Sequence, residues 1–113
     1  VSCIFCEIAA KRKPSQPVFE DDTVYAFRDI HPQAPNHILI IPKKHVATLN
    51  DLAPEDAPLI GELVLKAREL AKAEGIAERG YRLVVNCNAG AGQSVYHVHF
   101  HLLGGRAMGW PPG

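Results

Sequence analysis

The segment Tyr96-His97-Val98-His99-Phe100-His101-Leu102-Leu103 constrains the fold most, because imidazole and apolar side chains alternate along it. Alternation with a period of two is the pattern of a β-strand, whose successive side chains leave on opposite faces. It predicts a last strand over 95–103. Val98, Phe100 and Leu102 would point into a core, and His97, His99 and His101 would form a row on the other face. That row holds three of the chain's six histidines. One face of one sheet must therefore accommodate three titratable rings.

The other elements follow from period and punctuation. Ile4, Phe5, Ile8 and Ala9 predict a short amphipathic helix over 2–11. Strands are expected at Val18 to Glu20 and Val24 to Arg28, joined by a turn at Asp21 and Asp22. His37 to Ile41 is a nearly continuous apolar run ended by Pro42, which suits a central strand. From Pro54 to Glu74, Leu59, Ile60, Leu63, Val64, Ala67, Leu70 and Ala71 recur at helical spacing, and Gly75 ends the run. Tyr81 to Asn86 reads as a strand, Asn88 to Gly92 as a glycine-rich loop, and 104–113 as an irregular Pro/Gly tail. These elements predict one α+β domain over 1–113, with a five-stranded, mostly antiparallel sheet, one long helix and one short one.

Composition narrows the partners. A chain of 113 residues supports one core, not two. Its 12 basic and 12 acidic side chains cancel, leaving no overall field to hold DNA, RNA or an anionic membrane. No apolar run approaches the roughly 18 residues of a spanning helix, and the start lacks the pattern of a signal peptide. An odd count of three cysteines argues against a disulfide framework, so the expected location is the cytoplasm, with reduced thiols or a bound metal.

The histidine row admits two chemistries and one bland reading, a half-exposed face that tolerates imidazole. One chemistry is metal binding by alternating ligands, as in a metal-dependent hydrolase. Three rings span roughly 13 Å of strand, so a single ion could take all three only if the strand bends. The other is nucleophilic catalysis, for which a neutral imidazole serves both as nucleophile and as proton carrier. Just before the row, Gly90, Gly92, Gln93 and Ser94 could turn N–H groups and a hydroxyl toward an anion, as in a phosphate cradle. Ser94 lacks the second glycine of a hydrolase nucleophile elbow.

The run His97 to Leu103 resembles the His-φ-His-φ-His-φ-φ signature of the histidine triad superfamily. Phe27-Arg28-Asp29-Ile30, Pro35-Asn36-His37, Ile41-Pro42-Lys43-Lys44-His45, Val84-Val85-Asn86 and Gly92-Gln93-Ser94-Val95 extend the similarity over nearly the whole chain. The tail Gly104-Gly105-Arg106 and Trp110-Pro111-Pro112-Gly113 is similar to the Hint branch, the histidine triad nucleotide-binding proteins. The resemblance implies a homodimeric purine nucleoside phosphoramidase that splits a P–N bond through a nucleotidyl-histidine, with no metal in the chemistry. By the same resemblance His99 is the nucleophile, with His101, His37 and Ser94 beside it. Asp29 would take the ribose hydroxyls, and Phe5, Ile8, Phe27 and Ile30 would form the purine slot. Asn86, Gly92, Gln93 and Val95 would line the phosphate and ribose, and Trp110 would reach the partner's site. The chain departs from the common Hint pattern at Gly109, where histidine is frequent, and at His31, where a small residue is usual. A nucleotide-binding or protein-interaction module with incidental turnover is the alternative.

Cys3-Ile4-Phe5-Cys6 has the spacing of two zinc ligands, but two ligands do not make a site. The resemblance implies that His45 and His97 complete a structural zinc site, as in some bacterial members. Otherwise Cys3 and Cys6 are free thiols packed as small hydrophobes, as Cys87 is expected to be.

Overall fold

Asp21 sets the first turn. Its Oδ1 accepts the backbone N–H groups of Thr23 and Val24 at 2.9 and 2.8 Å, while its own N–H donates to the Val24 carbonyl at 3.0 Å. A short polar side chain replaces backbone partners in this way, and the chain reverses. The hairpin joins β1 (Pro17–Glu20) to β2 (Val24–Arg28). The structure is a computed structural model that describes residues 3–113. With β3 (Asn36–Pro42), β4 (Tyr81–Val85) and β5 (Phe100–Gly104), these strands form one antiparallel sheet in the order β1-β2-β3-β5-β4.

The period-two pattern sorts the sheet into two faces. Val24 and Ala26 of β2, Ile38 and Ile40 of β3, and Phe100 and Leu102 of β5 face the helix α2 (Ala57–Ala73) and its Leu63, Ala67, Leu70 and Ala71. Tyr25, Phe27, Leu39 and Ile41 face the helix α1 (Ile4–Ala9), which contributes Phe5 and Ile8. Covered on both sides, β3 reads as the unbroken apolar run of a central strand.

Helix α2 begins after a 3-10 turn at Pro54–Asp56. It gives way at Gly75, whose φ of 76° falls in the left-handed region that ends helices. Arg28 holds the C-cap residue Glu74 through both guanidinium nitrogens, at 2.7 and 3.0 Å, fixing the end of β2 against the end of this helix.

The first helix and the last strand differ most from expectation, the other elements by at most three residues at an end. The first helix is shorter than 2–11: it stops at Ala9, Lys11 takes a φ of 64°, and Ser2 lies outside the described residues. The last strand covers only Phe100–Gly104 rather than 95–103. Its pairing with β3 ends at Ile40↔Phe100, and upstream the Val98 N–H bonds the Val46 carbonyl instead, at 2.7 Å. The alternation of faces survives without the ladder. Val98 stays in the core with Phe100 and Leu102, and the histidines stay on the α1 side. Among the described residues, no helix is long and apolar enough to cross a membrane.

Candidate active site

On the α1 side, the sheet and the short helix enclose an apolar slot of about 450 Å³. Phe5 and Ile8 come from α1, Phe27 from β2 and Leu39 from β3, while Val95 and His99 close the inner end. Phe5 meets Phe27 edge-to-face at 5.5 Å between ring centres, and His99 at 5.0 Å with an interplanar angle of 88°. Asp29 and the exposed Ile30 stand at the slot, just past the end of β2. An apolar cleft bordered by a few polar groups is the ordinary form of a small-ligand site.

Backbone groups fix which nitrogen of each ring carries the proton. The Gln33 N–H donates to His37 Nδ1 at 3.0 Å, so that nitrogen must present a lone pair and the proton sits on Nε2. His37 Nε2–H then donates to His101 Nδ1 at 2.9 Å, which leaves the His101 proton on Nε2. His99 Nδ1–H donates to the His97 carbonyl at 2.7 Å, so His99 Nε2 holds a free lone pair. Burial lowers the pKa of His37, His97 and His99. Burial, with repulsion from the rings of His99 and His37, brings His101 down to about 4. Rings held neutral in this way are nucleophiles and donors rather than cations. Asp29 Oδ2 lies 3.4 Å from His37 Nε2, and its Oδ1 accepts the His31 N–H at 2.8 Å. Ligand atoms of Asp29, His37 and His101 lie within 4.8 Å of one another, and the hydrogen bond from His37 to His101 accounts for the spacing of the two rings.

His97 parts company with the other two. Its ring is fully buried and donates Nε2–H to the Pro42 carbonyl at 2.7 Å, which turns a lone pair on Nδ1 toward Cys3, Cys6 and His45. His97 Nδ1 lies 3.4 Å from Cys3 Sγ, 3.6 Å from Cys6 Sγ and 3.2 Å from His45 Nδ1. Cys6 Sγ lies 3.5 Å from His45 Nδ1. A tetrahedral zinc with ordinary bond lengths sets N–N edges of about 3.3 Å and S–N edges of about 3.6 Å, so this donor set fits such an ion. Burial and the adjacent Cys3 push the Cys6 thiol up to about 11, the reverse of what a bound cation does to a ligating thiol. The expected single row of imidazoles is thus divided between two clusters, with Phe5 against both His97 and His99.

Other expected residues take varied places. The exposed Ser94 lines the slot and also the neighbouring cavity beside Cys3 and His45. Gln93 is buried, and its amide ties its loop to the segment after β3: Nε2 donates to the Ala47 and Val95 carbonyls, and Oε1 accepts the Asn88 N–H. Gly92 turns that loop with a φ of 92°. Asn86 is not in the slot. It borders a cavity on the other flank of His101, with His37, Arg82 and Met108. Trp110 is 83% exposed and away from this chain's own slot, with Arg82 lying 6.0 Å over its ring. Sequence reading missed the N–H of Gln33 and the carbonyls of Pro42 and His97, because backbone donors and acceptors leave no signature in residue identity.

Residues 10–108 match the HIT domain family. The chain is 52% identical over 106 residues to the purine nucleoside phosphoramidase of Escherichia coli (strain K12), covering 94% of this chain and 89% of that protein. It superposes on a HIT family hydrolase from Legionella pneumophila Philadelphia 1 with a TM-score of 0.98 and 58% identity, over 99% of this chain and 100% of that one. A histidine triad protein from Clostridium difficile gives a TM-score of 0.92 and 40% identity, over 95% and 93% of the two chains. A sheet carrying His99 and His101 over an apolar slot, and these likenesses along nearly the full length, place the chain in the histidine triad family, with close kinship to its purine nucleoside phosphoramidases.

Proposed function

We propose that this chain is a purine nucleoside phosphoramidase that releases a nucleoside monophosphate and an amine. The observation that carries the reading is His99, whose Nδ1–H is committed to the His97 carbonyl and whose Nε2 lone pair is free beside the slot. The purine enters between Phe5, Ile8, Phe27 and Ile30, and the Asp29 carboxylate accepts the ribose hydroxyls. That places the α-phosphorus at His99 Nε2. Attack there breaks the P–N bond and forms a nucleotidyl-histidine, replacing one difficult displacement with two easier ones. The His97 carbonyl holds the Nδ1 proton while the ring becomes cationic. His101 directs its Nε2–H at a phosphoryl oxygen, held in that tautomer by His37. Ser94, open to solvent, donates a hydrogen bond on the phosphate side, and the departing amine takes its proton from solvent. Water then cleaves the P–N bond to His99. The loop through Gly92, Gln93 and Val95 shapes the phosphate side, and Asn86 serves from the opposite flank of His101.

No metal takes part in these steps. Cys3, Cys6, His45 and His97 would hold a structural zinc ion that joins α1 to the sheet, and the reduced thiols of such a site suit the cytoplasm. A homodimer completes the pocket. The β4 edge of the sheet and the exposed Trp110 on its Pro-rich tail, which lies away from its own slot, support this reading.

The test is incubation of chelator-treated protein with an adenosine phosphoramidate, following AMP release and intact mass. Wild type is expected to release AMP and to show a nucleotidyl adduct, and His99→Ala to do neither. Nucleotide binding without release would assign the chain to a binding module, and activity dependent on added metal would assign the histidines to an ion.

A further inference from the structure

The helix that carries Cys3 and Cys6 also carries a wall of the slot. Between the two thiols, Phe5 packs edge-to-face on the His99 ring at 5.0 Å and on Phe27 at 5.5 Å. One turn on, Ile8 lines the same slot. α1 has only six residues, too few to persist by itself, so its position depends on what holds it. Two attachments are visible. One is the apolar contact of Phe5 and Ile8 with Tyr25, Phe27, Leu39 and Ile41, and the other is the approach of both cysteine sulfurs to His97, and of Cys6 also to His45. His97 is in turn tied to the nucleophile, because its carbonyl accepts His99 Nδ1–H.

We propose that Cys3 and Cys6 form a dithiol that controls the nucleotide slot, closing under peroxide to a disulfide that detaches α1 from His45 and His97. The proposal rests on the slot's being the nucleotide site. The two sulfurs lie within 4.8 Å of each other in the same first turn, Cys3 as the extended N-cap and Cys6 inside the helix. A disulfide draws them to about 2.05 Å by side-chain rotation. One thiol attacks the O–O bond of the peroxide, giving a sulfenic acid and water. The second thiol then displaces the hydroxyl as a second water, so two thiols and one peroxide give one disulfide and two waters. The sulfurs are oxidised and the peroxide oxygens are reduced. Where zinc occupies the cluster, two thiolates, one peroxide and two protons give the same products and the ion is released.

Sulfur in a disulfide is no longer a thiolate donor, so the Cys3 and Cys6 links from α1 to the sheet are lost. A bond within one helical turn does not replace them. Phe5 and Ile8 then keep only their apolar contacts, and the buried His97 Nδ1 loses its sulfur neighbours. The oxidised protein should bind nucleotide more weakly and return to full affinity on reduction.

The experiment uses the full chain with Cys87→Ser, so that Cys3 and Cys6 are the sole thiols. It is treated with hydrogen peroxide and then with dithiothreitol, with intact mass, AMP affinity and hydrogen exchange of the amides from Phe5 to Ile8 measured at each stage. Oxidation is expected to remove two hydrogens, weaken AMP binding by about fivefold and speed exchange in α1, all reversibly. Cys3→Ser in the same background is expected to form no intramolecular disulfide, losing no pair of hydrogens and showing no peroxide-dependent fall in AMP affinity. A disulfide that leaves affinity and exchange unchanged overturns the proposal, as does failure to form the disulfide or an equal response in Cys3→Ser. If the reduced protein binds no AMP, the functional reading fails instead, and exchange in α1 alone then decides the switch.

Discussion

Removing His37 tests the relay that orients His101. The His37 side chain is 3% exposed, its Nδ1 accepts the Gln33 N–H at 3.0 Å, and its Nε2–H donates to His101 Nδ1 at 2.9 Å. His37→Ala leaves His101 free to carry its proton on either nitrogen and leaves the Gln33 N–H without its partner. Each unmade buried hydrogen bond costs about 1–3 kcal/mol. If the His101 bond is felt fully in the transition state, kcat/KM falls by roughly 5- to 150-fold, because about 1.4 kcal/mol is a factor of ten. His37→Gln retains a donor of similar reach and should recover much of the loss. The assay is steady-state hydrolysis of an adenosine phosphoramidate, with long-range 1H–15N spectra reporting the His101 tautomer. An alanine variant with wild-type kcat/KM and His101 still protonated only on Nε2 would refute the relay.

Acid should destabilise the fold in a defined window. His37, His99 and His101 have lowered pKa values, so the folded state prefers them neutral. The stability they contribute is complete above the ordinary imidazole value of about 6.5 and is lost as pH falls toward the value of about 4 reached by His101. Urea denaturation at a series of pH values checks this, and a midpoint rising between pH 6.5 and 5 would contradict it. Gly104→Ala sets a new Cβ 2.5 Å from Ile76 Cδ1, and overpacking of this kind costs about 1–3 kcal/mol; thermal melts should show the loss, and Ile76→Ala should relieve part of it. His97→Ala should lower the melting temperature more than it slows turnover, because its side chain serves the Cys3, Cys6 and His45 cluster while its carbonyl serves His99. Unchanged stability with abolished turnover would move His97 into the chemistry.

The sheet was readable wherever one side chain's neighbours are set by period alone. Val98, Phe100 and Leu102 fall in the core as their alternation requires, and Ile38 to Ile41 fill a central strand. The first half of the last strand was not readable. Whether residues 95–99 join a ladder depends on the chain beyond β3, where Val98 bonds Val46 and His97 bonds Pro42, and those partners are remote in sequence. Within the site, the alternating histidines at 97, 99 and 101 pointed to chemistry and Asp29 and His37 entered through the family resemblance, whereas the tautomers are set by backbone groups that any sequence would possess. Gln93 shows the opposite case. Its polar side chain suggested a ligand contact, yet both polar atoms of it are engaged by backbone groups, those of Asn88 and Val95 in its own loop and that of the remote Ala47.

The division of labour within His97 bears on how freely the chain can vary. Its contact with His99 comes from a main-chain oxygen, which every amino acid carries, and its imidazole faces the sulfur pair, His45 and Pro42. The side chain at position 97 is therefore tied by its contacts to Cys3, Cys6 and His45. On the proposed mechanism, a descendant that gave up both cysteines could place an amide or a hydrophobe there and still hydrolyse its substrate, whereas the proposed nucleophile leaves no such latitude at position 99.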